Sequence, residues 1–411
     1  MRTEKSNNLL DNMQIQRVKF KDIEQVPYLQ VNKNFKQDFQ GSSPTPFIGR
    51  FGYPNVHIGL LSPQISGDTS FYDAPKVWSK KATPIGTIAS MRYGMVNSRS
   101  SAHVKEQNQM QKNKFLDVVQ EVGMASKPVE MEVQLKQQPR LAVQSEKEII
   151  PFGPQAEMRQ AKITQNPFVD SRVERVVGDT DLKASSALLG LYQKGFEENF
   201  LTKLLSVGNL GLGNNRKLVP TRWSITATDD TIGKQLITEI KDFSVGEYQA
   251  FFGGGWGNYY LLLFFPEVWS YELFEMYIDY RVNPWSKAGN FYSTDYESYE
   301  GRKEYAEETA GGYYAARLAV VEKMKELKHQ HSCLALRFIT SEYTVPLGVW
   351  VCREAAKKST QEKAISFTSQ ELMLKYAEEL LKNKFNFDVG ILLKESKLLT
   401  EKKTQRRLGE Y

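Results

Sequence analysis

The stretch RKLVPTRWSITATDD, Arg216–Asp230, brings together the features that decide the fold of this 411-residue chain. Apolar and small polar side chains alternate over Trp223–Thr228, which predicts a strand. Apolar residues then recur at helical spacing over residues 231–243, which predicts a helix. Because open α/β folds bind ligands where strands end and helices begin, this stretch is also a candidate binding site.

The charged residues of this stretch allow two interpretations. Lys217 and Arg222 precede or open the predicted strand, and Asp229 and Asp230 follow it. The cations suit a phosphate group, and the carboxylates suit a divalent metal ion. Alternatively, Asp230 caps the following helix and the cations are solvated. The sequence alone leaves both interpretations open.

The composition is that of an ordinary globular protein. Hydrophobic residues make up 41% of the chain and charged residues 25%. The length suffices for two or three domains at roughly 150 residues per domain. The net charge of +6 permits a polyanionic partner without requiring one.

The cysteines and histidines give no metal-binding pattern. Cys333 and Cys352 lie in apolar, strand-like runs, which predicts two buried and reduced thiols. Two cysteines are too few for a four-cysteine zinc site. His329 and His331 are predicted to form a surface turn before Cys333, so no metal ligands are assigned.

The N-terminal segment and the hydropathy predict a cytoplasmic protein without a membrane partner. No run approaches the ~18 apolar residues of a membrane span. The N-terminal sequence MRTEKSNNLLDN lacks the apolar core of a signal peptide. Residues 1–40 are polar with little periodicity and are predicted to form a loosely ordered arm.

A predicted tight turn, GRFGYP at residues 49–54, carries Arg50 and two aromatic residues. The backbone N–H groups and the guanidinium of such a turn can approach a phosphate, which leaves the rings for stacking. The alternative is a hairpin corner whose aromatic side chains belong to the core.

Basic and aromatic residues also interleave over residues 75–110. Arg92 and Arg99 are the candidates for phosphate contact there, with neighbouring serines as further donors. A solvated basic surface explains the same composition equally well.

Asp179 and Asp181, in the string GDTDLK at residues 178–183, form a second acidic pair. Asp179 suits the N-cap of the helix that is predicted to follow. The alternative is that the two carboxylates, beside Lys183, hold a metal ion or a catalytic base.

The remaining periodicities predict a mixed α/β (α+β) fold. Helices are predicted over residues 115–128 and 308–330 and after a capping box at Thr368–Glu371. Strands are predicted over residues 129–149, 259–265, 332–340 and 347–352. The segment FFGGGWGN, residues 251–258, is predicted to be a flexible aromatic loop.

Several long strings of this sequence resemble the archaeal Nre family of DNA repair proteins. They are PFIGRFGYPNVHIGLLSP (46–63), SKPVEMEV (126–133), DTDLKAS (179–185), RKLVPTRWSITATDD (216–230), GRKEYAEETAGGYYAARLAV (301–320) and SEYTVPLGVWVCRE (341–354). The resemblance implies a role in the response to DNA damage. It also implies an N-terminal Nre region over residues 41–290 and a C-terminal Nre region over residues 291–400, packed intimately together.

The resemblance further implies a partner for a short disordered tail at residues 401–411. Many members of the family end in a peptide that binds the sliding clamp, PCNA. Gln405, Leu408 and Tyr411 match the glutamine, aliphatic and aromatic positions of that peptide. One terminal aromatic stands where the full pattern has two, and Gly409 weakens the helical turn that the peptide needs.

This chain departs from many relatives at its N-terminus. They carry a cysteine-rich, zinc-finger-like segment, whereas no cysteine precedes Cys333 here. We therefore expect no structural zinc. The resemblance supplies neither a reaction nor catalytic residues.

Three hypotheses follow. In the first, a DNA repair factor binds DNA or a nucleotide-containing substrate through the arginines and lysine named above, and the clamp recruits it. In the second, a nuclease acting on damaged DNA holds Mg²⁺ or Mn²⁺ with the two acidic pairs. In the third, a non-catalytic scaffold links the clamp to other repair proteins. The second hypothesis requires the four carboxylates to converge in space.

Overall fold

The computed structural model of the protein describes residues 34–106, 113–140, 149–278 and 292–404. Helices and two separate six-stranded mixed sheets occupy these ranges, which confirms the predicted α+β class. The described residues divide into two compact units. The first contains the residues up to 235 together with 345–350, and the second contains those of 236–344 and 351–404.

The first unit is built on a sheet with the strand order β1-β5-β6-β4-β3-β2. Its strands are β1 (Asp38–Ser43), β2 (Thr45–Ile48), β3 (Asn55–Pro63), β4 (Met95–His103), β5 (Val129–Leu135) and β6 (Gln155–Ile163). Neighbouring strands are antiparallel except β4 and β6, which are parallel. Strand β1 begins inside the predicted polar arm, so residues 38–40 correct that prediction; residues 1–33 lie outside the described ranges.

Helices connect the strands of this unit and follow them in the chain. They are α1 (Pro75–Lys80), α2 (Ile85–Tyr93), α3 (Lys114–Met124), α4 (Ser171–Gly178), α5 (Ala184–Gln193), α6 (Glu198–Ser206) and α7 (Thr221–Ile240). Helix α3, which the sequence predicted, starts where the Asn113 side chain accepts a hydrogen bond from Phe115 N at 3.0 Å. Its apolar stripe packs against Ile58, Leu60 and Val96 of the sheet.

Helix α7 replaces the strand predicted over Trp223–Thr228. The helix begins after Pro220, whose carbonyl oxygen accepts hydrogen bonds from Trp223 N and Ser224 N. Small polar residues fill its buried positions here, among them Ser224 and Thr228. Because these polar side chains interrupt the apolar stripe, the stretch mimics the two-residue period of a strand.

The second unit contains a sheet with the strand order β10-β9-β11-β8-β7-β12. Its strands are β7 (Tyr248–Gly255), β8 (Asn258–Phe265), β9 (Ser270–Tyr277), β10 (Tyr292–Glu297), β11 (Ser332–Ile339) and β12 (Ile365–Phe367). Strands β8 and β11 confirm the predicted buried runs. The predicted flexible loop 251–258 is instead the end of β7 and the turn of the β7–β8 hairpin.

Five helices follow in the C-terminal part: α8 (Ala310–Leu327), α9 (Trp350–Gln361), α10 (Gln370–Phe385), α11 (Gly390–Glu395) and α12 (Lys397–Thr404). Helix α8 confirms the prediction for residues 308–330. Helix α9 corrects the strand predicted over 347–352. Ser369, and not Thr368, caps α10 by accepting a hydrogen bond from Leu372 N. Residues 401–404 are helical, which corrects the predicted disorder at those four residues; residues 405–411 lie outside the described ranges.

A buried ion pair of the second sheet lies against α8. Arg337 of β11 and Glu275 of β9 form an ion pair of 2.5 Å. A Cβ on Gly312 would lie 2.3 Å from Glu275 Oε1, so glycine lets the helix backbone approach the carboxylate. Cys333 of β11 and Cys352 of α9 are both buried thiols outside any disulfide of the described residues, as predicted, although Cys352 lies on a helix.

Within the described ranges, none of the helices combines the length and the apolar character that crossing a membrane requires.

Candidate nucleic-acid interface

The β2–β3 hairpin holds Arg50 at its tip. Gly49 N donates to His57 O at 2.8 Å and Asn55 N donates to Gly52 O at 2.9 Å, which closes the predicted turn. Gly52 has a φ of +83°, a conformation that favours glycine. Phe51 is 66% exposed, and the Arg50 guanidinium lies 4.4 Å from its ring centroid. The turn is therefore confirmed, and the interpretation of its aromatic side chains as core is wrong.

The open face of the first sheet supplies the floor of the site. The pleat places Asn97, Arg99 and Ser101 of β4 on one face. Strand pairing sets His57 opposite Ser101 and sets Gln155 of β6 opposite Asn97. The apolar residues that alternate with them form the core on the other side of the sheet.

Gly59 leaves space for the Asn97 side chain on this face of the sheet. It pairs with Arg99 across the β3–β4 ladder. A Cβ at this position would lie 2.1 Å from Asn97 Oδ1, much closer than any normal contact. Asn97 is only 2% exposed, and its Oδ1 has no hydrogen-bond partner in the described part of the chain. The floor thus holds a buried polar side chain with unused hydrogen-bonding capacity.

The start of α7 brings Arg222 to the same place. Ile48 N donates to Thr221 Oγ1 at 2.9 Å, which ties the first residue of the helix to the end of β2. Trp223 is 45% exposed, and its ring lies 5.3 Å from that of Tyr53, which is 47% exposed. The helix start and the hairpin therefore present an aromatic pair beside Arg222.

These elements enclose a pocket of about 200 Å³, which we call the arginine pocket. Its lining residues are Phe47, Ile48, Gly49, Arg50, Phe51, His57, Asn97, Arg99, Ile149, Phe152, Gln155 and Arg222. Three of the predicted phosphate-contacting residues, Arg50, Arg99 and Arg222, thus meet in one cavity. Among the described residues that line this pocket there are three arginines and neither Asp nor Glu.

Burial and nearby charges shift the pKa of His57 in the arginine pocket. Partial burial and the positive charge of Arg99 lower the pKa of His57, and the carboxylate of Glu157 opposes them. Arg99 itself donates to Gln155 Oε1, and its Nε has no acceptor among the described residues. The pocket therefore keeps a neutral imidazole beside convergent guanidinium groups at neutral pH.

The other two basic candidates lie elsewhere. Arg92 is buried and donates to Asp73 Oδ1 at 3.0 Å and to the carbonyl oxygen of Pro151 at 2.9 Å. Burial lowers the pKa of Arg92, and Asp73 opposes that effect. Lys217 is exposed just before α7 and is not part of the pocket lining. We therefore leave both residues out of the candidate site.

The acidic candidates lie at two places, after the end of α4 and within α7. Asp179 follows the last residue of α4, and its Oδ1 accepts from Asp181 N at 3.0 Å, so it is not the predicted N-cap of α5. Asp229 is buried within α7. Asp230 lies inside the same helix and pairs with Lys234 at 2.7 Å, which corrects its expected capping role.

Across the residues that the structure describes, no three His, Cys, Asp or Glu side chains are grouped so that they could hold a metal ion. The four carboxylates of the nuclease hypothesis therefore do not converge. Gln405, Leu408 and Tyr411 of the predicted clamp peptide lie outside the described residues.

Sequence reasoning missed His57, Asn97 and Gln155 as members of the site. Had a strand been predicted over residues 97–101, its alternation would have placed Asn97, Arg99 and Ser101 on one face. The convergence of the three arginines depends on strand pairing and on the position of α7, which no local pattern carries.

Two family profiles together match most of this chain. The sequence profile described as "Archaeal Nre, N-terminal" matches residues 19–285, and the one described as "Archaeal Nre, C-terminal" matches residues 297–411. The chain belongs to the archaeal Nre family. No solved structure matches it.

Curated relatives cover almost the whole chain of this Nre-family protein. The DNA repair protein NreB of Archaeoglobus fulgidus is 35% identical over 94% of this chain and 95% of its own. The DNA repair protein NreA of Haloferax volcanii is 34% identical over 86% of this chain and 83% of its own. The DNA repair protein NreA of Archaeoglobus fulgidus is 33% identical over 88% of this chain and 90% of its own.

Proposed function

We propose that this chain is a DNA repair protein that binds DNA at the arginine pocket and is recruited by the sliding clamp through its C-terminal residues. The names of its relatives support the repair role. The observation that carries the DNA-binding part is that Arg50, Arg99 and Arg222 line one pocket.

Physical chemistry favours DNA over other anions at this place. Guanidinium groups bind phosphate oxygens with paired, charge-assisted hydrogen bonds. The exposed rings of Phe51, Tyr53 and Trp223 lie beside the pocket and offer faces on which unpaired bases can stack. The net charge of +6 adds long-range attraction to a polyanion.

The test is a double substitution, Arg50→Ala with Arg222→Ala. We expect weaker DNA binding at every salt concentration and a salt slope smaller by about 2, one for each lost phosphate contact. The matched control is Arg140→Ala with Arg175→Ala, which removes the same charge from exposed positions outside the pocket. Equal affinities of the pocket variant and the control variant would contradict the proposal.

The clamp part of the proposal rests on Gln405, Leu408 and Tyr411, which match the clamp-binding pattern. Helix α12 ends at Thr404, immediately before them. Ordering such a peptide on the clamp costs part of the contact energy, so we expect an affinity in the micromolar range.

The two rival hypotheses differ from this proposal in what they require. A metal-dependent nuclease would need the carboxylates to come together, and no observation in the structure favours it. A scaffold would bind the clamp but not DNA, so a wild-type protein without DNA affinity would support it.

A further inference from the structure

We infer that the arginine pocket accepts the phosphorylated end of a DNA strand, that is, a terminal phosphomonoester followed by unpaired nucleotides. This inference rests on the proposed DNA binding and narrows it to one chemical class of ligand.

Charge is the first reason. The hairpin tip, strand β4 and the start of helix α7 each contribute one guanidinium to a cavity of about 200 Å³. An internal phosphodiester carries one negative charge, whereas a phosphomonoester carries about −1.5 to −2 near neutral pH. Three arginines that line one cavity match the doubly charged group better than the singly charged one.

The shape of the pocket is the second reason. Arg99 lies on the floor, on the sheet face, whereas Arg50 lies at the hairpin tip. An internal phosphate of a duplex is held by nucleotides on both sides and by its partner strand, which keep it on a convex surface. A strand end has only one covalent neighbour and can enter a concave site.

The floor supplies the third reason. Asn97 is almost fully buried, and neither its Oδ1 nor Arg99 Nε has a hydrogen-bond partner in the described residues. Buried polar atoms are normally satisfied, so a polar ligand group is expected to contact them. A terminal nucleotide offers both kinds of group, phosphate oxygens for Arg99 and base N–H donors for the Asn97 oxygen.

The rim supplies the fourth reason. Phe51, Tyr53 and Trp223 keep large exposed ring surfaces beside the pocket. Bases next to the strand end can stack on these rings only if they are unpaired. The rim therefore favours a single-stranded or frayed end over a fully paired one.

The experiment compares short single-stranded oligonucleotides of one sequence that carry a 5′-phosphate, a 3′-phosphate or no terminal phosphate. A blunt duplex with 5′-phosphates, a deoxynucleoside monophosphate and inorganic phosphate complete the set. Affinities for the full chain are measured by fluorescence anisotropy or calorimetry. We expect one phosphorylated single strand to bind about tenfold tighter or more than the unphosphorylated strand, and the phosphorylated blunt duplex to bind more weakly.

Variants connect this preference to the pocket. Arg99→Gln should remove the preference for the phosphorylated end, whereas Arg175→Ala should leave it unchanged. The His57 ring resonances give a second measurement that does not depend on the folding of a variant. A dianion bound beside Arg50 and Arg99 should raise the pKa of His57, and the unphosphorylated strand should raise it less.

The outcomes separate this inference from the proposed function. Equal binding of phosphorylated and unphosphorylated strands would overturn the inference and leave DNA binding in place. No binding of any strand would overturn both. Inorganic phosphate or the mononucleotide binding as tightly as the phosphorylated strand would show a small-anion site and would overturn the strand-end inference.

Discussion

Gly59 shows how one missing side chain shapes the arginine pocket. A Cβ there would lie 2.1 Å from Asn97 Oδ1 and 3.5 Å from the Arg99 Cβ. Gly59→Ala should therefore displace the Asn97 amide, weaken binding of the phosphorylated strand and lower the free energy of unfolding by about 1–3 kcal/mol, as overpacking does. Affinity and chemical denaturation of the same variant measure both effects.

The control for this substitution is Gly190→Ala on α5. A Cβ there would meet nothing within 4 Å, so stability and affinity should stay at or above the wild-type values. Wild-type affinity in Gly59→Ala would show that the position of Asn97 does not matter for binding.

His331 is the clearest pH-sensitive residue of the second unit. It is 1% exposed and packs between Gly246 and the ring of Phe264. Burial, and next the charge of His329, lower the pKa of His331 to about 4. The folded protein disfavours the imidazolium. The contribution of His331 to the free energy of unfolding is therefore complete above pH ~6.5 and is lost as the pH falls towards 4.

Protonation of His331 should lower the free energy of unfolding by about 3 kcal/mol between neutral pH and pH ~4. Urea denaturation across this range should show it in the wild type. His331→Gln should have a flatter pH profile, whereas His329→Gln, at an exposed position, should retain most of the dependence. Parallel profiles for the wild type and His331→Gln would contradict the assignment.

At the scale of elements, the joint between α7 and β2 fixes the geometry of the site. Thr221 Oγ1 accepts from Ile48 N at 2.9 Å and lies 3.1 Å from Ser206 Oγ. Thr221→Ala would leave the Ile48 N–H without this acceptor, which should cost about 1–3 kcal/mol of stability. Arg222 should also lose its fixed position relative to Arg50, so DNA affinity should fall.

Thr221→Ser is the matched variant, since it retains the hydroxyl group. Thermal denaturation and DNA titrations of both variants should place the serine protein near the wild type and the alanine protein well below it. Equal losses in the two variants would show that the methyl group, and not the hydrogen bond, anchors the helix.

The elements that the sequence predicted correctly have a single uninterrupted pattern. Helix α3 has an unbroken apolar stripe, residues 259–265 of β8 are all apolar or aromatic, and Leu334, Leu336 and Phe338 fill one face of β11. Helix α7 does not, because Ser224, Thr228 and Asp229 occupy buried positions there. Packing within the folded protein, which a local pattern does not contain, decides its conformation.

Glycines misled the prediction for the β7–β8 hairpin in a different way. Gly253 and Gly254 suggested a flexible loop, yet both pair with strand β8. A Cβ on Gly253 would lie 3.0 Å from the Cα of Ser359 on α9, so glycine permits close packing there. Trp256 and Gly257 both have positive φ and form the two-residue turn. Glycine thus permits close packing at Gly253 and a turn at Gly257, and the composition of the segment does not distinguish these two roles.

At the scale of the whole molecule, the site was only partly predictable. Arg50, Arg99 and Arg222 were candidates because each stands in a turn or beside aromatic residues. Arg92 has the same kind of sequence surroundings, yet it is buried against Asp73. Only the three-dimensional arrangement separates an arginine that lines a cavity from one that completes an ion pair.

At the same scale, the proposed DNA contact and the proposed clamp contact use separate parts of the chain. The arginine pocket is formed by residues between 47 and 222, whereas the clamp match lies at residues 405–411. A chain that ends at Thr404 should lose clamp binding and keep its affinity for the phosphorylated strand. The Arg50→Ala and Arg222→Ala protein should show the reverse, because its tail is unchanged.

Titrations of purified clamp and of labelled DNA against the same preparations measure both affinities. Leu408→Ala with Tyr411→Ala controls for charge, since truncation also removes Arg406 and Arg407, which attract an acidic partner surface. Lys402 adds little to that attraction, because it packs over Phe265 and pairs with Glu267 at 2.9 Å. Equal clamp binding by the full chain and the chain ending at Thr404 would rule out the tail as the recruitment element. Loss of both affinities on truncation would show instead that the last residues support the fold.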